Sequence, residues 1–178
     1  MTFEFILAQI FGFVALILVC ISYSFNNKKV FLLYQIASNI FYAMSFLTLG
    51  VLVGGFNTLI SITRVTCLFF FEKADKTPPH FVYFIFALTY FISGSLFFQS
   101  TLDIMAIISY EIFNLAMFNK NISKLRFMMI LPNFMIAIYN LLSKTYTNAI
   151  LDFIEITVLI VSIIRFKNYE MKKMKFLI

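Results

Sequence analysis

Long apolar runs alternate with short polar breaks along the whole chain. A helix crosses about 30 Å of hydrocarbon at 1.5 Å per residue. Runs of that length fall near residues 3–24, 30–48, 50–71, 81–98, 101–119, 126–142 and 146–166. The pattern predicts an all-α polytopic bundle of seven transmembrane helices. The breaks are brief: "FNNKK" at 25–29, a bare Gly50, "EKADKTPPH" at 72–80, "QST" at 99–101, "NKNISK" at 119–124 and "SKTY" at 143–146. Pro78 and Pro79 bar any helix from running through the longest of them.

Composition makes the membrane reading firm. The 178 residues are 62% hydrophobic and 12% charged, with a mean hydropathy of +0.94, so there is too little polar surface to face water on all sides. The net charge of +6 does not indicate nucleic acid, because the basic residues form short clusters between apolar runs. Lys28, Lys29, Lys73, Lys76, Lys120, Lys124, Arg126 and the tail "RFKNYEMKKMK" fall on one side of a seven-span chain, and Lys144 alone on the other. The positive-inside rule then places the N-terminus outside and the C-terminus in the cytoplasm, which needs an odd number of spans. The first run has no basic n-region or cleavage site, carries Glu4, and is read as a retained span. Cys20 and Cys67 both lie in apolar runs, so no disulfide framework is expected. With Trp absent, tyrosines such as Tyr23, Tyr90 and Tyr146 are expected at the membrane interfaces. His80, beside Glu72 and Asp75, is read as a solvated loop histidine, and the "NIS" sequon at 121–123 falls on the inner side.

The spans divide into two similar groups. "FNNK" (Phe25 to Lys28) follows the first and "FNK" (Phe118 to Lys120) the fifth; Tyr42 and Tyr139 then sit in the next spans, at an offset of about 93 to 97 residues. One membrane domain, 1–178, thus divides into a triple-helix half at 1–71, a loop and linker helix at 72–100, a second half at 101–167 and a basic tail at 168–178. This is a 3+1+3 parallel repeat, a plan that puts a site near the midplane between the halves.

In order along the chain, "LAQIFGFVA", "FNNKK", "GGFNTLISITR" and the late Tyr139, Asn140, Glu155 and Arg165 resemble the bacterial inner membrane proteins of the YgjV family. That resemblance implies a multi-pass helical protein of the inner membrane, grouped by fold with the SWEET and PQ-loop transporters. It implies no substrate. The chain departs from PQ-loop proteins in having no Pro-Gln pair, its one intramembrane proline being Pro132.

Chemistry must come from polar residues inside the spans, since each unsatisfied polar group in lipid costs several kcal/mol. Asn57, Ser61 and Arg64 share a helix face, as do Asp152 and Glu155, and both stripes are expected to point inward. Arg64 would cost roughly 2.5 to 3.5 kcal/mol near a bilayer centre. Counted from the inner span ends, Arg64 lies about 10 Å deep, Glu111 about 12 Å, Glu155 about 16 Å and Asp152 about 21 Å. Three readings of Arg64 follow: snorkelling to the headgroups, an ion pair with Glu111 ahead of Glu155, or a place in a ligand site. Asp152 and Glu155 share a low-dielectric face, where desolvation and repulsion favour protonation of one, so they are the expected proton-coupling pair. Asn57, Arg64, Glu111, Asn133 and Glu155 are the expected solute-binding residues. Gly50, Gly54 and Gly55 suggest close helix packing, and Pro132 a kink or a freed carbonyl.

No metalloprotease, serine-hydrolase or P-loop motif occurs, and no cofactor or metal is expected. The expectation is a small-solute transporter, not an enzyme, with the lipid bilayer and an unidentified solute as partners and no nucleic acid. Pairing into a homodimer is left open. The alternative is a scaffold or sensor whose buried charges are structural; a polar cavity lined by Asn57, Glu111 and Glu155 would favour transport.

Overall fold

The computed structural model describes residues 3–50, 52–98, 100–142 and 146–175. Among these residues are seven α-helices and no strand: α1 (Phe3–Tyr23), α2 (Lys28–Thr48), α3 (Leu52–Lys73), α4 (His80–Leu96), α5 (Asp103–Met117), α6 (Ile122–Leu142) and α7 (Tyr146–Lys175). Four of them, α1, α2, α3 and α6, are long and apolar enough to cross a membrane. The fourth and fifth expected spans are shorter than the hydropathy implies: α4 has 17 residues and α5 has 15. The sixth starts earlier, at Ile122, which brings Arg126 inside a helix. The seventh runs beyond its apolar stretch to Lys175. Lys144, the one lysine expected on the outer side, lies outside the described residues.

Local chemistry sets the helix ends. Asn27 Oδ1 accepts from the backbone N–H groups of Lys29 and Val30, and Asn121 Oδ1 accepts from those of Ser123 and Lys124. These are N-caps that satisfy otherwise orphaned donors of α2 and α6. Gly50, at φ 70°, turns the chain out of α2 in a conformation glycine adopts without a Cβ clash. Pro79 sits just before α4, where its missing N–H removes no helix bond.

The residue distribution is inverted relative to a water-soluble protein. On α1, Ile6, Ile10, Phe13, Ile17 and Ile21 face out, while Ala8, Gly12, Ala15, Val19 and Ser22 are buried. On α4, Phe84, Leu88 and Phe91 are each at least 60% exposed. Gln35, Asn57, Ser61, Arg64, Asn114, Arg126 and Asn133 are all buried. An apolar rim around polar residues suits a hydrocarbon solvent, which solvates leucine and leaves amides to find partners within the protein.

Helix neighbours follow the chain around a ring. α1 packs on α2 and α7, α2 on α3, α3 on α5, α5 on α6, and α6 on α7, while α4 rests against α3 and α5. The expected close packing of α3 is seen at Gly54, where a Cβ would come within 2.9 Å of the Phe46 ring. The apolar core lies toward one end, where Val19, Tyr23, Phe31, Leu32, Leu68, Met117 and Leu125 meet. This end carries the connections at 24–27, 74–79 and 118–121, and is called here the basic end.

Four of the six helix ends before α4 recur at one step after it, while the start of α1 and the end of α3 do not. Ninety-four residues separate Tyr23 from Met117, Lys28 from Ile122, Thr48 from Leu142 and Leu52 from Tyr146. The N-caps Asn27 and Asn121 obey the same step. The Tyr42 and Tyr139 match from the sequence does not: by this step Tyr42 corresponds to Ile136, and Tyr139 to Ser45. Tyr42 and Tyr139 stand 97 residues apart, about one helical turn off this step. Ser45 and Tyr139, which the step relates, each bond to the preceding helix, though to acceptors that the step does not match. Ser45 Oγ donates to the Ala8 carbonyl at 2.8 Å, tying α2 to α1, and Tyr139 Oη donates to Asp103 Oδ1 at 3.0 Å, tying α6 to α5.

Candidate functional site: a polar cavity inside the helix ring

A cavity of about 150 Å³ lies within the ring. That volume exceeds the share of one liquid water, about 30 Å³, several times over. α1, α2, α3, α5, α6 and α7 all contribute to its described wall, and no described residue of α4 does. Many wall positions pair by the 94-residue step: Asn39 with Asn133, Val19 with Phe113, Thr58 with Asp152 and Ser61 with Glu155. The numbering matches at these positions, but on α3 and α7 the side-chain chemistry does not. Where α3 presents two hydroxyls, α7 presents two carboxyls.

Both carboxylates are held. Asn140 Nδ2 donates to Asp152 Oδ2 at 2.7 Å, and Tyr23 Oη donates to Glu155 Oε1 at 2.6 Å. Tyr23 is fully buried at the end of α1, so Glu155 is fixed from the neighbouring helix. Arg64 lines the same cavity at 3% exposure. Its Nε and Nη1 have no hydrogen-bond partner, and no carboxylate lies within 4.0 Å of it among the described residues. Its guanidinium carbon stands 5.3 Å from the centroid of the Tyr90 ring. Tyr90 in turn stacks on Tyr110 and shares a 2.7 Å hydrogen bond with Ser61. A cation over an aromatic face is attracted by the ring quadrupole, which makes Tyr90 a partial substitute for a counter-ion.

The expected site residues therefore divide. Arg64, Asn133, Asp152 and Glu155 come together in the cavity. Asn57 is buried on the same face of α3 but is not part of the wall. Glu111 is elsewhere: it lines an apolar groove between α4 and α5 with Tyr83, Phe91 and Ile107. The expected ion pair of Arg64 with Glu111 is not formed. Matching depths fixed the height of the two side chains and left their direction around each helix axis open; on α5 it is Tyr110, Phe113 and Met117 that face the cavity. Arg64 does not snorkel either, since it is buried inside the ring. His80 is exposed at the start of α4.

Sequence reasoning missed three participants. Gln35, Asn39 and Asn140 line the cavity, and each was visible as an amide in an apolar run. Tyr23 and Tyr90, expected at the interfaces, are 0% and 1% exposed and serve the site from within. Arg126, expected among cytoplasmic charges, is fully buried. It donates to the carbonyls of Tyr23, at 3.1 Å, and of Phe25, and it lies 4.3 Å from the Phe166 ring centroid. This cation meets the negative end of the α1 dipole and satisfies its last carbonyls. The reciprocal contact exists too. Lys28 Nζ donates at 2.6 Å to the carbonyl of Asn119, which is Phe25 moved by 94 residues. α6 thus sends a cation to the end of α1, and α2 sends one to the chain just after α5.

A family model described as bacterial inner membrane protein, Imp-YgjV, matches residues 6–170. No curated protein and no solved structure matches the chain, so the likeness to SWEET and PQ-loop carriers has no support from known structures.

Proposed function

The chain belongs to the Imp-YgjV family of bacterial inner membrane proteins, and from that premise we propose that it is a small-solute carrier whose site is the cavity inside the ring. One observation carries the reading: a cavity of about 150 Å³ holds Arg64, Asp152, Glu155, Asn39 and Asn133 in the middle of an otherwise apolar bundle. Ionisable groups inside a membrane bundle are expensive, and a packed apolar centre would be more stable. A polar cavity is what a scaffold does not need.

The same reading takes the seven helices as seven spans in a 3+1+3 plan. α1, α2 and α3 form one half, α5, α6 and α7 the other, and α4 returns the chain across the bilayer so that both halves run in the same sense. The 94-residue register and the reciprocal Lys28 and Arg126 contacts support it. The N-terminus is then outside and the C-terminus in the cytoplasm, with Asp152 and Glu155 as the groups that take up a proton during transport. Movement of one half against the other would expose the cavity to each side in turn.

The test is uptake of a metabolite panel by cells lacking the protein against cells producing it, with a reporter fused after Ile178 to fix topology. A carrier gives an accumulation difference for at least one solute, and a cytoplasmic reporter. Identical profiles under conditions where the protein is present in the membrane would overturn the transport reading; a periplasmic reporter would overturn the span count.

A further inference from the structure

The cavity wall carries a basic side chain on α3 and two acidic ones on α7. Arg64 is 3% exposed, faces the cavity and has two guanidinium nitrogens without a partner. Asp152 and Glu155 face the same cavity from α7. By the 94-residue step Glu155 corresponds to Ser61, and Arg64 is one helical turn beyond Ser61 toward the basic end, a rise of about 4.5 Å. Thr58, the counterpart of Asp152, is a further turn the other way. No described carboxylate reaches within 4.0 Å of Arg64, so it forms no ion pair with the two acids of α7.

We propose that the cavity binds a small dipolar solute carrying both a carboxylate and a protonated amine, the carboxylate taken by Arg64 and the amine by Asp152 and Glu155. A guanidinium offers a planar fork of N–H donors that fits a carboxylate, and its Nε and Nη1 are the donors left open here. An ammonium group is a donor with no acceptor capacity, and suits carboxylate oxygens. Asn39 and Asn133, identical residues at matched positions, line the cavity from α2 and α6, where amides can serve either end of the ligand. A singly charged solute would match one charge and leave the opposite charge buried and unmatched. A neutral polyol would leave both so, and specificity arises from such unmatched groups.

This inference rests on the cavity being a solute site, and a four-carbon series separates the two ideas. The purified full-length protein in lipid nanodiscs is titrated with 2-aminobutyrate, 4-aminobutyrate, butyrate, butylamine and 1,4-butanediol, with binding read by calorimetry and by thermal shift. The expected result is at least tenfold tighter binding of one of the aminobutyrates than of butyrate, butylamine or the diol. In the Arg64→Gln protein that preference should fall to less than threefold over butylamine, and in the Glu155→Gln protein to less than threefold over butyrate. Comparable binding of the diol or of a singly charged member overturns the dipolar ligand while leaving a solute site in place. Binding of none of the five overturns the dipolar ligand and the solute site together. The wild-type series decides the matter even if a variant fails to fold.

Discussion

The two ends of the bundle solve the same problem in opposite ways. At the basic end the last carbonyls of α1 are satisfied by Arg126 and Ser162, that of Asn119 by Lys28, and apolar side chains from six helices close over them. In the middle and toward the other end, polar side chains line a space in which the Arg64 guanidinium has unpartnered nitrogens. Both regions bury an arginine. Both terminal nitrogens of Arg126 reach oxygen acceptors and only its Nε is left over, whereas at Arg64 both Nε and Nη1 lack a partner and the nearest described group is the Tyr90 ring face. The difference teaches how to separate structure from function in a lipid-facing protein: a buried cation whose terminal nitrogens grip backbone carbonyls holds the fold, whereas one that leaves more of its donors open costs stability without such a return.

Substitution at the two arginines should break that comparison most visibly. Arg126→Leu removes the donor from two backbone carbonyls in a fully buried site and should lower stability by about 3 to 5 kcal/mol. A fall in melting temperature in detergent, or loss of protein from the membrane, measures it. Close packing ranks next. Gly54→Leu would force the α2 and α3 seam apart at the Phe46 ring, at a cost of roughly 1 to 3 kcal/mol in the same assay. Arg64→Met should act in the opposite direction to Arg126→Leu. It removes an unpaired buried charge, loses the contact with Tyr90, and should leave the protein more stable by about 1 to 2 kcal/mol while abolishing solute binding. A large loss of stability there would make Arg64 structural after all. Smallest is Ser162→Ala, which removes a 2.6 Å hydrogen bond to the Tyr23 carbonyl. About 1 kcal/mol is expected, because Arg126 still serves the same oxygen.

Much of this was legible before any coordinates. Helix number and order follow from apolar runs and from asparagine, glycine and proline at the breaks. So does the inward face of α3, since Asn57, Ser61 and Arg64 are all buried as their spacing implies. Asp152 and Glu155 share the cavity as two acids one turn apart should. What could not be read is which helix each face meets. Depth along a span is a count of residues, but pairing needs the rotation of both helices and their place in the ring. Glu111 shows the limit, as its neighbour Tyr110 faces the cavity while Glu111 lines the groove toward α4. Arg126 shows another. In "SKLRF" it stands beside lysines and looks like one more cytoplasmic charge, and only the early start of α6 carries it inside.

Arg126 also imposes an order on how the protein comes to be. Its acceptors at the end of α1 lie 101 and 103 residues earlier in the chain. At synthesis rates of about 5 to 20 residues per second, that separation is roughly 5 to 20 seconds on the ribosome. Throughout that interval α2 can already pack on α1, but the carbonyls at the end of α1 still lack the guanidinium. The emergence of α6 supplies it, so the end of the first helix made is among the last parts to be capped.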